Sequence, residues 1–131
     1  MSMTSPATTL KKLPKLNYHP GAYRFLFSAL RWTQESLKRG STEGTGHVSG
    51  QELVAGIRQY ALDQFGLMTL TVFNTWGLTA TDDFGRMVFE MIERGEMSKT
   101  DTDRLSDFEN LYDFQEAFDR QYVPDLRRAF A

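Results

Sequence analysis

Asp82 and Asp83 stand inside a segment, Trp76 to Phe108, that reads as a helix-turn-helix followed by a wing: a turn, an amphipathic run, a glycine stop and a polar stretch. In that architecture the second helix enters the major groove, and its first residues touch base edges and phosphates. Here those residues are Thr79, Ala80, Thr81, Asp82, Asp83 and Arg86. Two carboxylates repel phosphate, and Arg86 alone carries a fork that reads guanine. Lys99 and Arg104 follow, but Asp101, Asp103 and Asp107 flank them. Favourable charge at a helix N-terminus is the simpler role for Asp82 and Asp83. Adjacent helical residues point about 100° apart, so the two do not face one site as an acid/base pair.

Other candidate chemistry is thinner. The alternating acids from Asp101 to Glu109 suggest a calcium loop, but Ser106 replaces the turn glycine, Leu105 the third ligand and Tyr112 the bidentate glutamate. Solvated carboxylates fit that stretch better. Gly44-Thr45-Gly46-His47-Val48-Ser49 approaches a dinucleotide fingerprint, yet Ser49 stands at the third glycine and no strand precedes it. His19 and His47 are the two histidines and neither sits at metal-ligand spacing. His47 precedes Ser49 by two residues, which points to local hydrogen bonding where a helix begins. No cysteine is present, which removes disulfides, thiolate metal sites and thiol nucleophiles. Neither a GxSxG elbow nor a P-loop lysine occurs, and no catalytic, cofactor or metal residue is nominated.

Binding residues are easier to name. Arg24, Phe25, Arg31 and Trp32 share one segment, and aromatic residues beside arginine are what interface hot spots favour. Burial of the rings is the competing role. Residues 1–48 hold seven Lys/Arg and two acids, a net +5, whereas residues 49–131 hold eight and fifteen, a net −7. Lys11, Lys12, Lys15, Lys38 and Arg39 are therefore candidate phosphate contacts, unless the basic front packs on the acidic remainder.

The elements that must position these residues are mostly helices. Residues 1–18 read as a basic tail, with Leu10, Leu13 and Leu16 at every third position around Pro14, and residues 19–131 as a single helical domain. After Pro20, Tyr23, Leu26, Phe27, Leu30 and Leu37 fall at helical spacing, while Phe25, Ala29 and Trp32 make a second apolar face; Lys38-Arg39-Gly40 is the stop. Ser49 with Glu52 forms a capping box for a second helix, whose stripe is Leu53, Val54, Ile57, Tyr60, Ala61 and Phe65 and whose stop is Gly66. A short third helix spans Met68 to Trp76. Thr79 or Thr81 caps a fourth, with Phe84, Met87, Val88, Met91 and Ile92 inward, Asp82, Asp83, Arg86, Glu90, Glu93 and Arg94 outward, and Gly95 at its end. Segments around Met97 and Leu105 to Phe108 suit a small hairpin, and Asp113 opens a last helix with Phe114, Ala117, Phe118 and Tyr122 inward, up to Pro124. The expected fold is mainly α: a compact bundle of about five helices with a short β-hairpin and a winged-helix-like middle.

At 131 residues with 40% hydrophobic and 13% aromatic content, ten of them Phe, the chain can bury a core. No secretory h-region and no run of about 18 apolar residues is present, so a cytoplasmic protein that does not enter a membrane is expected. The order of Tyr23-Arg24-Phe25, HVSGQEL at His47 to Leu53, Asp82-Asp83-Phe84-Gly85, Ser98-Lys99-Thr100, Asp107-Phe108, Tyr112-Asp113-Phe114 and Ala117-Phe118 resembles a small uncharacterised family confined to planctomycete and verrucomicrobial bacteria, over residues 19–118. The resemblance implies a bacterial, cytoplasmic setting and carries no activity, cofactor or catalytic residue. Residue chemistry then ranks three functions. First is a protein-protein interaction or regulatory adaptor, beside a transcription or translation complex, using Arg24, Phe25, Arg31 and Trp32. Second is RNA or DNA binding through the tail and first helix. Third is an enzyme or small-molecule sensor with a pocket drawn from residues such as Tyr60, Asp63, Thr69 and Asn74.

Overall fold

Helix α1 (Pro20–Ser36) begins where proline at the first position has no N–H to satisfy, and the Nδ1 of His19 accepts the Gly21 N–H at 2.9 Å. These coordinates are a computed structural model that describes residues 1–3, 16–38 and 47–120. The helix buries Ala22, Tyr23, Phe25, Leu26, Ala29, Leu30 and Thr33, so two of its flanks are covered. The helix ends at Ser36 and Lys38 adopts φ +58°; Arg39 and Gly40 of the expected stop lie outside the described residues.

Helix α2 (Gly50–Phe65) opens with the expected capping box: Ser49 Oγ accepts the Glu52 N–H at 3.1 Å and Glu52 accepts the Ser49 N–H at 3.0 Å. Leu53, Val54, Ile57 and Ala61 are buried, with Tyr60 and Phe65 half-buried at its flank. The α1–α2 approach is close enough that a Cβ on Gly56 would collide with the Thr33 side chain. A 3-10 turn at Gly66–Met68 leads into α3 (Thr69–Trp76), which Gly77 ends at φ +86°.

Helix α4 (Thr81–Glu93) buries Phe84, Met87, Val88 and Met91 as the periodicity requires. Two details of its start differ from expectation. Neither Thr79 nor Thr81 caps it; Asp83, three residues on, accepts the N–H groups of Thr79 at 2.8 Å and Ala80 at 3.1 Å, and is buried, not outward-facing. Thr81 turns inward instead, donating to the Phe108 carbonyl at 2.7 Å and accepting the Leu111 N–H at 3.0 Å.

The expected hairpin does not form among the described residues. Strand β2 (Met97–Ser98) pairs antiparallel with β1 (Ser2–Met3), placing Ser2 opposite Ser98 and Met3 opposite Met97, while Leu105–Phe108 is a 3-10 turn. The start of the segment read as a tail is thus part of the fold, with Met1 fully buried. The 3-10 turn at Leu105–Phe108 packs on α4 because Gly85 has no Cβ, which would otherwise lie 2.7 Å from that of Phe108; among the described residues no winged-helix middle is confirmed. Beyond it, Phe114 and Gln115 begin a turn that continues into a π-helical segment at Glu116–Arg120, where the described residues end. Four α-helices with short 3-10 and π turns are described, so the protein is mainly helical. None of these helices is long and apolar enough to cross a membrane.

Rings hold the elements together. Phe73 of α3 meets Phe25, Phe84, Phe114 and Phe118 at centroid distances of 5.6, 5.7, 5.5 and 5.2 Å, linking α1, α4 and the C-terminal turn.

Candidate functional site

A cleft of about 360 Å³ opens between α1 and α2, lined by Phe27, Ser28, Arg31, Trp32, Glu35 and Tyr60. Five of the six come from α1 at i, i+1, i+4, i+5 and i+8, one stripe of a helical surface. Phe27, Trp32 and Tyr60 are half-buried, whereas Ser28, Arg31 and Glu35 are exposed. Trp32 and Tyr60 tilt against each other at 6.0 Å, and Tyr60 rests in turn on Phe25 at 5.5 Å. Phe25 also touches Phe65 and Trp76, both at 5.5 Å, so the aromatic wall is continuous with the core and is held in one orientation. Arg31 and Glu35 sit one turn apart, and among the described residues the side chain of neither makes a hydrogen bond or an ion pair. Arg preceding Glu by four residues is the weaker order for an intrahelical pair.

Two of the four expected anchors, Arg31 and Trp32, meet in this cleft. Arg24 is exposed on the same helix outside the lining, and Phe25 is a core residue that presents no surface to a partner. Tyr60 and Glu35 were not nominated as anchors; the i, i+4 spacing of Arg31 and Glu35 was the available signal for Glu35, whereas Tyr60 is recruited from another helix. Among the candidate phosphate contacts Lys38 is exposed, and Lys11, Lys12, Lys15 and Arg39 lie outside the described residues. The residues nominated for a small-molecule pocket do not converge. Tyr60 lines the cleft, Asp63 and Asn74 are exposed elsewhere, and Thr69 is buried with its hydroxyl on the carbonyls of Gly66 at 2.7 Å and Ala61 at 3.3 Å.

A second polar constellation joins α1 to α4. Asp83 accepts from the Tyr18 hydroxyl and from Arg86 Nη1, each at 2.7 Å, besides its backbone donors and the Thr79 hydroxyl at 3.1 Å. Burial pushes its carboxyl up, but the donors of Thr79, Tyr18 and Ala80 outweigh burial and hold it below the usual carboxylate range. Glu90 accepts from Tyr23 at 2.8 and 2.9 Å, from Asn17 at 2.9 Å and from Arg94 at 2.6 Å. Burial again opposes ionisation, and these donors prevail. Burial, reinforced by the paired carboxylates, pushes the Tyr18 and Tyr23 phenols up to about 12. Carboxylates held ionised beside phenols held protonated keep their hydrogen bonds near neutrality, so this network clamps α1 to α4. On α4 Asp83 is thus buried, and Arg86, the residue there whose fork could read guanine, is exposed and paired with it.

At the N-terminal end, the Met1 ammonium donates to His47 Nδ1 at 2.6 Å and to the Val48 carbonyl at 2.9 Å, and lies 3.4 Å from Asp103 Oδ2. His47 therefore reaches across the fold to the chain's first residue and, at 3.5 Å, to Asp103. Burial, only partly offset by Asp103, lowers the pKa of this ammonium. The acids of the former calcium candidate close turns: Asp103 Oδ2 accepts the Thr100 N–H at 2.9 Å and Asp107 Oδ2 the Arg104 N–H at 3.0 Å.

Comparison of the chain with protein-family models, with curated proteins and with solved structures returns no match.

Proposed function

We propose that this chain is a protein-interaction module, an adaptor that holds a partner chain in the cleft between α1 and α2. One observation carries the reading: Phe27, Trp32 and Tyr60 form an aromatic wall beside Arg31 and Glu35, whose charges have no partner among the described residues. Aromatic residues with arginine, desolvated by an incoming side chain, are the usual anchors of such surfaces. The exposed rim formed by Ser28, Arg31 and Glu35 suits a polypeptide lying along the helix better than a small molecule, most of whose surface a pocket must enclose.

A photo-crosslinking residue at position 28, compared with one at the exposed Asn74 of α3, tests this in living cells. Adducts specific to position 28 that disappear in Trp32→Ala are expected. Equal adducts at both positions, or adducts indifferent to Trp32→Ala in a variant that still folds, overturn it.

A further inference from the structure

Resting on that reading of the cleft, we infer that its occupant is the same cleft of a second copy of this chain, two α1 helices packing antiparallel about a two-fold axis near Trp32. The argument is charge order. Arg31 and Glu35 are exposed, opposite in sign and one turn apart on a single stripe. A helix carrying such a pair is complementary to itself when reversed: Arg31 of one copy falls opposite Glu35 of the other, and the axis repeats the contact. Each charge that lacks a partner among the described residues gains one, and the two ion pairs flank the aromatic wall from both sides. Ser28 keeps the rim low beside Arg31 and Trp32, so the second helix can approach within ordinary packing distance. Trp32, half-buried against Tyr60 in one copy, is covered completely by the other, as a central anchor ringed by polar groups requires. The other arrangement, parallel packing, would set Arg31 against Arg31 and Glu35 against Glu35, and like charges select against it.

The experiment is a charge exchange read by sedimentation and native mass spectrometry on the full chain. Wild type is expected to shift from monomer to dimer in the micromolar range. Arg31→Glu and Glu35→Arg each place like charges opposite one another twice, and each should weaken self-association by at least about tenfold. Both positions are exposed, so unchanged thermal melts are expected for both variants. Mixing the two variants in equal amounts pairs one acidic face with one basic face, and a mixed dimer as tight as wild type should form; the double variant R31E/E35R should likewise dimerise with itself. A wild type that stays monomeric at millimolar concentration overturns the inference, as do single variants that dimerise normally or a mixture that associates no better than its components. These failures leave the cleft reading standing if position 28 still crosslinks to a different chain under control of Trp32. Loss of both results removes the cleft itself.

Discussion

Replacing Asp83 by Asn tests the clamp between α1 and α4 with almost no change of shape. Oδ1 of Asp83 accepts the Tyr18 hydroxyl and Arg86, and Oδ2 accepts the Thr79 and Ala80 N–H groups and the Thr79 hydroxyl. An amide must turn its NH2 toward one of these two sets, so a donor faces donors whichever way it flips. Arg86 is exposed and regains water, which leaves the buried donors to set the cost. One or two donors stranded at roughly 1–3 kcal/mol each, partly relieved by rearrangement, give a loss of about 2–3 kcal/mol, or some 5–10 °C in Tm. Urea unfolding at neutral pH measures it. The pH dependence supplies an independent check. The carboxyl is held below its unfolded value, so its contribution is fully present above the unfolded pKa near 4 and is lost as pH falls through the folded pKa. The gap between wild type and Asp83→Asn should therefore narrow in acid. A variant within about 0.5 kcal/mol of wild type at pH 7, or a gap that does not change below about pH 4, would refute the reasoning.

Gly56→Ala should cost about 1–3 kcal/mol by urea unfolding, because the new methyl meets Thr33, and adding Thr33→Ala should recover much of that loss; equal instability of the single and double variants contradicts the contact. Ser49→Ala should cost about 1 kcal/mol by removing the acceptor of the Glu52 N–H, with the helical circular dichroism signal otherwise retained. Ultraviolet titration should find Tyr18 and Tyr23 ionising near 12, and stability should fall as pH rises from the unfolded phenol value of about 10 toward that range; Tyr18→Phe and Tyr23→Phe should each remove one high-pH transition.

What could be read without the structure was local. The capping box of α2 needs residues three apart, and the α4 stripe repeats every turn, so both were visible in the chain. The hairpin failed because Met97 and Ser98 suit a strand whatever their partner, and the partner lies 96 residues away in the Ser2–Ser98 pair. Asp83 looked exterior because its spacing matches the outer face of α4; the hydroxyl that covers it belongs to Tyr18, 65 positions earlier. Periodicity marked two apolar faces on α1 without showing which is covered. Tyr60, Phe65 and Trp76 close over Phe25, whereas Trp32 has Tyr60 on one side and solvent on the other.

The carboxylates of α4 also bear on α1, the helix proposed as the binding surface. Asp83 and Glu90 hold Asn17, Tyr18 and Tyr23, which are the approach to α1 and its first turn, and Arg94 adds its guanidinium 5.2 Å above the Tyr23 ring. That fixes one flank of α1 to α4. Thr33 set against Gly56, with Ala29 and Leu30 buried alongside, fixes another flank to α2. A helix tied on two flanks loses little freedom when its third face is engaged, and pre-paid ordering is what lets a modest surface bind. The face left over carries Phe27, Arg31, Trp32 and Glu35. Among the described residues the cationic side chains of the basic front, Arg24, Arg31 and Lys38, are exposed and make no ion pair with the acidic remainder, so packing there does not use up the charge asymmetry of the sequence, and in the proposed interaction Arg31 and Glu35 beside Trp32 supply the polar contacts.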